Sequence, residues 1–119
     1  MDFCDLEVWK KAKVLVIDIY RVSKGFPINE RFGLTDQLHR ASNSVCANIA
    51  EGYSRYHTKD KIKFYYNARG SISECMSHVL IAEELTYLPT DETKRIFRDY
   101  ETVRKMLNGL IRAISRGGI

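Results

Sequence analysis

Apolar residues recur at intervals of three and four in four separate stretches of the chain, the spacing that gathers them on one helix face at about 100° per residue. In the first stretch Val8, Ala12, Leu15 and Ile19 form the seam, widened by Trp9, Val16 and Tyr20, with Trp9 as a core anchor at one end. In the second, Leu34, Leu38, Ala41, Val45 and Ile49 share a face. In the fourth, Ile96, Tyr100, Val103, Leu107, Leu110 and Ile114 repeat in the alternating manner of a coiled-coil seam.

The third stretch is long and carries two apolar stripes. One holds Ile62, Tyr65, Tyr66, Ile72, Met76, Val79 and Leu80, the other Phe64, Ala68, Cys75 and Ala82. A helix apolar on two sides needs cover on two sides, once from its own bundle and again from something else, a neighbouring subunit for example. Gly70, mid-helix beside Ser71 and Ser73, costs about 1 kcal/mol relative to alanine and points to close helix approach.

Turn and cap residues place the boundaries. Asp5 caps a helix that runs to about residue 24, where Gly25 stops it. Residues 25–32 hold Gly and Pro and form a connection, with Phe26 and Phe32 tucking it onto the core. The second helix spans about 33–53. The third follows Thr58 as cap and ends near residue 86. The fourth follows Pro89 and Thr90, runs to about 115 and stops at Gly117 and Gly118. Short connections between four helices, with no strand pattern and no internal repeat, predict an all-α fold: an antiparallel up-and-down four-helix bundle, one domain over residues 1–119.

Beside the core face of the second helix lies a polar stripe, Gln37, Arg40, Ser44, Asn48 and Glu51. A purely solvated face favours long helix-forming side chains, whereas Ser and Asn are poor mid-helix residues. Two readings stand open: a packed hydrogen-bonding seam between helices or subunits, or an ordinary boundary face.

Composition adds a little. The chain has 119 residues, 45% of them hydrophobic, enough for a core without staples. The net charge is +4, from 19 Lys and Arg against 15 Asp and Glu, which permits a nucleic-acid partner without requiring one. Cys4, Cys46 and Cys75 are odd in number and include no CxxC pair, so they read as reduced thiols, Cys46 and Cys75 as small apolar fillers. The first apolar cluster is broken by Lys10, Lys11 and Lys13, so no signal peptide or membrane span is expected, and a soluble cytoplasmic protein is.

Catalytic constellations are missing from the sequence. His39, His57 and His78 are dispersed, no HxxxH, HExxH or Glu-x-x-His pattern occurs, and neither phosphate-binding glycine motif is present. Glu51 and Glu74 read as partners of Arg40 or Arg69. No catalytic residue, metal site or cofactor is expected, and the protein reads as not an enzyme.

The strongest binding signal is residues 53–66, where Arg55, Lys59, Lys61 and Lys63 interleave with Tyr53, Tyr56, Phe64, Tyr65 and Tyr66. Cations hold phosphates and exposed aromatics stack on unpaired bases, a composition that suits single-stranded or looped RNA. The plainer alternative puts Tyr65 and Tyr66 in the core and leaves the lysines solvated. Lys10, Lys11 and Lys13 form a second basic group, and Lys94, Arg95, Arg98, Arg104 and Lys105 a third, partly balanced by Asp99 and Glu101.

The run QLHRASNSVCANIAEG, with FCDLEVWKKA before it and ARGSISE after it, resembles the small four-helix-bundle proteins encoded by intervening sequences in bacterial large-subunit ribosomal RNA genes. Related proteins accompany diversity-generating retroelements. Gln37, Arg40, Ser44, Asn48, Glu51 and Gly52 match the central motif, and Gly70, Ser71 and Glu74 the later one. His39 stands where arginine is common and Cys46 where proline is common. The resemblance implies a homo-oligomer, with a barrel-like pentamer among the relatives, no enzymatic activity, and nucleic acid or a protein such as a reverse transcriptase as partner.

Together these observations lead to a non-enzymatic oligomer that binds RNA or DNA, structured RNA first, through Lys10, Lys11, Lys13, Arg55, Tyr56, Lys59, Lys61 and Lys63. Packing or assembly falls to Gln37, Arg40, Ser44, Asn48, Glu51, Gly70, Ser71 and Glu74. The alternative is a protein-interaction scaffold with only weak nucleic-acid contact.

Overall fold

A computed structural model describes residues 2–117 and consists of α1 (Glu7–Ser23), α2 (Leu34–Ser54), α3 (Thr58–Glu84) and α4 (Thr90–Ser115). Single 3₁₀ turns at Phe3–Asp5 and Ile28–Glu30 precede the first two. Each helix packs on its neighbours in the chain, and α4 closes back on α1, while among the described residues the backbones of diagonal pairs stay apart. The result is an antiparallel bundle 46 Å long and 24 × 21 Å across. Gly118 lies outside the described residues, and Gly117, at φ 81°, takes the left-handed turn after α4.

The seams interlock as the spacing predicts, with two revisions. On α3 the two proposed stripes resolve into one: Tyr65, Ala68, Ile72, Cys75, Val79 and Ala82 are buried in a regular alternation of three and four. Tyr66, Leu80 and Ile81 lie off that seam and are each about half exposed. On α4 the chain buries Ile111 where Leu110 was expected, and Leu110 packs at the margin. Trp9 is half-buried, edge-on to Phe3 at 5.2 Å. Phe26 enters the core, but Phe32 is 82% exposed with the Arg31 guanidinium over its ring, so only one end of the connection is tucked in.

One close contact joins α2 to α3, and another joins α3 to α4. Gly52 is buried against the ring of Tyr65, and a Cβ there would stand 2.6 Å from Tyr65 Cε1. Further along, the Tyr100 hydroxyl from α4 is sealed in the core beside the Cys75 thiol, without a hydrogen bond of ordinary geometry. Burial pushes the thiols of Cys75 and Cys46 up to about 12 and about 11, which keeps both protonated and inert.

The helix ends differ from the expected caps by one position. Leu6, His57 and Pro89 occupy the N-cap positions of α1, α3 and α4, so Asp5, Thr58 and Thr90 are not the caps themselves. Asp5 instead closes a capping box with Asp2 around the first 3₁₀ turn. At the end of α3, Thr86 adopts φ 64°, and its N–H donates to Glu83 O at 2.9 Å while Tyr87 N–H donates to Ala82 O at 2.9 Å. This is a Schellman motif with threonine in the position that glycine fills at no steric cost. Thr86→Gly is therefore expected to raise stability by about 1 kcal/mol, read as a higher urea midpoint with unchanged slope.

Candidate nucleic-acid interface

The basic residues selected from the sequence separate into free cations and structural ones. Lys61 sends its Nζ back to the end of α2, donating to Tyr53 O at 2.8 Å and Gly52 O at 3.4 Å, and so satisfies carbonyls left over by that helix. It is a cap rather than a free phosphate ligand. Lys61→Met should cost about 1 kcal/mol of stability, read as a lower urea midpoint. Arg55 pairs with Glu51 at 3.2 Å and lies over the Phe64 ring. Lys59 and Lys63 are exposed and make no ion pair among the described residues, and Tyr56 is 90% exposed on the α2–α3 turn.

On α1, Lys10 pairs loosely with Glu7 at 3.6 Å, Lys13 covers the Trp9 ring, and Lys11 is half-buried beside α4. All three lie near the same end of the bundle as residues 55–63, because α1 starts where α2 ends.

That shared end reflects a sorting of charge along the whole molecule. Cutting each helix at its midpoint leaves residues 2–14, 45–71 and 103–117 in the half that holds the termini and the α2–α3 turn. This half contains twelve Lys and Arg against five Asp and Glu, a net +7. The opposite half contains seven against ten, a net −3. The overall +4 thus conceals a strongly basic half and an acidic one, and the chain order hides it because each half is drawn from all four helices.

The polar stripe of α2 divides as well. At its centre, Ser71 Oγ from α3 donates to Ser44 Oγ at 2.9 Å, and Asn48 Nδ2 donates to the same oxygen at 3.0 Å and to Ser44 O at 2.9 Å. This is a hydrogen-bonded seam between two helices. Gln37, Arg40 and Glu51 are exposed, and the two charged ones pair within α2, Arg40 with Asp36 at 2.9 Å and Glu51 with Arg55. Glu74 is exposed and stands 3.6 Å from His78, so neither it nor Glu51 pairs with Arg40 or Arg69. His39 stacks on Tyr20 at 3.8 Å and shares a 2.8 Å hydrogen bond with Ser23. Burial holds its pKa below the usual 6.5 against the opposing pull of Asp36, so it adds no charge at neutral pH.

Gly70 departs most from expectation. Apart from its own helix, no described residue places an atom within 4 Å of where its Cβ would stand, so no other described helix packs directly against it. It forms part of a recess of about 360 Å³ between α3 and α4, lined by Tyr66, Arg69, Gly70, Ser73 and Arg104. Sequence reading missed Arg69 and Ser73 as ligand groups because the recess joins residues on two helices, with no local motif to mark it. Among the described residues no cluster of three or more His, Cys, Asp or Glu is placed to hold a metal, and no helix is long and apolar enough to cross a membrane.

The profile of the family described as 23S rRNA-intervening sequence protein matches residues 4–109. Among solved structures, the chain is similar to the crystal structure of a protein of unknown function from the S23 ribosomal protein family of Bacteroides thetaiotaomicron. The TM-score is 0.81 at 21% identity, over 88% of this chain and 95% of that one. At this identity the likeness establishes the four-helix fold. No curated protein matches the chain.

Proposed function

The chain belongs to the 23S rRNA-intervening sequence protein family, and from that premise we propose a non-enzymatic, homo-oligomeric bundle that binds nucleic acid, structured RNA foremost, through its basic half. The observation that carries this reading is the segregation of +7 into one half of a molecule whose total is only +4. Polyanions respond to local charge density within a Debye length of about 8 Å, not to the total. Lys59 and Lys63, with Tyr56 beside them, supply unpaired cations and an exposed ring on the same end. Oligomerisation multiplies the basic ends, and a pentamer is the assembly that the family resemblance favours.

A titration of RNA and DNA across salt concentrations, with the mass followed by light scattering on the same sample, tests this reading. Six phosphate contacts per site predict an affinity loss of about a thousandfold between roughly 50 and 200 mM salt. No binding at low salt would overturn it in favour of a protein-interaction scaffold. One observation favours that second reading: Val14 and Ile17 on α1, and Leu80, Ile81 and Leu85 at the far end of α3, are exposed apolar side chains.

A further inference from the structure

The recess between α3 and α4 combines features that neither core packing nor solubility calls for. Arg69 is half-buried, held by a 2.7 Å hydrogen bond from Nη1 to Asn108 Oδ1 and stacked over the Tyr66 ring with its guanidinium carbon 4.6 Å from the centroid. Among the described residues no carboxylate lies within ion-pair distance of it. Across the recess Arg104 pairs with Glu101 through Nη1 and donates from Nη2 to Ser73 Oγ at 3.3 Å. The recess is thus lined by one guanidinium group from each helix, that of Arg104 answered by Glu101 and that of Arg69 with no carboxylate partner among the described residues. Gly70 shares the lining, and its missing side chain keeps the recess open at a helix-propensity cost that nothing inside the bundle recovers.

The recess also has an approach. Lys59, Lys63, Tyr66, Gly70 and Ser73 follow one another at intervals of four and three along one face of α3, about 21 Å from Lys59 to Ser73 at 1.5 Å per residue. The free lysines of the turn therefore lead directly to it.

We infer that this recess binds the phosphate of one nucleotide unit in an unpaired nucleic-acid strand, with Arg69 and Arg104 gripping the phosphate oxygens and Tyr66 offering its exposed surface to the neighbouring base. Planar guanidinium groups match phosphate oxygens in pairs, and an aromatic ring stacks on any base. The inference rests on the nucleic-acid reading above and assigns it a specific contact.

The test uses the full chain and a labelled single-stranded oligouridylate of about 12 nucleotides, with affinity from fluorescence anisotropy. Arg69→Met should weaken binding about tenfold, against less than about threefold for Lys105→Met, which removes the same charge from an exposed position on α4. Gly70→Ala leaves the charge untouched and should weaken binding several-fold while raising the melting temperature by about 4 °C, because alanine favours the helix as it fills the recess.

Uridine monophosphate is titrated in parallel, with the Arg69 Nε–H signal followed by NMR. If the RNA binds but Arg69→Met and Gly70→Ala leave it unchanged, the recess assignment is overturned while the nucleic-acid reading survives. If the RNA does not bind but the mononucleotide shifts Arg69, the strand is wrong and the phosphate site is right, its ligand being a free nucleotide. If neither binds, both readings fall. If Gly70→Ala lowers the oligomer mass without weakening RNA binding, the recess is a contact between copies and the inference is wrong.

Discussion

Replacing Gly52 with valine is expected to lower the unfolding free energy by about 3 kcal/mol, the upper part of the range for overpacking a closed core. A Cβ on Gly52 would meet Tyr65 Cε1, Cδ1 and Cζ at 2.6, 2.9 and 3.1 Å. Tyr65 is 1% exposed and has no room to swing aside. The two methyl groups of valine must therefore push α2 from α3 along their tightest contact. Alanine at the same position regains about 1 kcal/mol of helix propensity, so Gly52→Ala should lose less.

The measurement is a urea titration at fixed protein concentration, since any assembly makes midpoints depend on it. Combining Gly52→Ala with Tyr65→Leu should show favourable coupling of 1 kcal/mol or more, as the smaller side chain makes space. A Gly52→Val protein as stable as the parent would mean that the ring yields freely. Gly70→Ala supplies the contrast: the same change, one helix away, is expected to act in the opposite direction because no atom stands in its way.

The second large effect is expected at Asp18, where Asp18→Asn should cost about 2 kcal/mol at neutral pH, between the values for exposed and buried ion pairs. The carboxylate is mostly buried and accepts hydrogen bonds from Arg95, and from Arg21 at 2.7 and 3.2 Å. Glu92 and Asp99 face the same arginine. Burial alone would raise the Asp18 pKa, but the hydrogen bonds and charges of Arg95 and Arg21 outweigh it and hold the pKa below the usual 3.8. A carboxylate depressed on folding stabilises fully above its unfolded pKa and loses that contribution as pH falls through the folded one. The stability gap between parent and Asp18→Asn should thus be constant near neutrality and begin to close as pH drops below 3.8. A gap unchanged down to the acid limit would show that packing, not charge, sets the cost.

Four helices and most of their buried positions were legible because α1, α2 and α4 each concentrate apolar residues on one face. The face of α3 was not, since apolar side chains surround it and periodicity alone does not tell which of Tyr65 and Tyr66 turns inward. The choice is made by Gly52, whose bare backbone on α2 receives the Tyr65 ring. Capping by Lys61 was hidden for a related reason: a lysine at the start of a helix looks solvated until the preceding helix end is seen beside it. Along the stripe of α2, Ser44 and Asn48 form the seam with α3, where short side chains reach only a close neighbour, whereas the long side chains of Arg40 and Glu51 find partners one turn away on their own helix. Charge sorting and the recess are properties of topology, and composition averages both away.

The ring of four helices has one weak joint. α2 and α3 share the most extensive contact, whereas α1 and α4, the first and last helices, share the least and leave a shallow groove beside Val14 and Met106. Stability is then unevenly distributed: the central hairpin holds together, while each terminal helix is secured along one strong joint only, as the first helix is. Its departure would bare Leu38, Val45 and Ile49 on one side and Ile96, Val103 and Leu107 on the other, an apolar surface of the kind that chaperones and aggregating chains recognise. The Asp18–Arg95 network, bridging that joint, accordingly acts as a latch on partial unfolding.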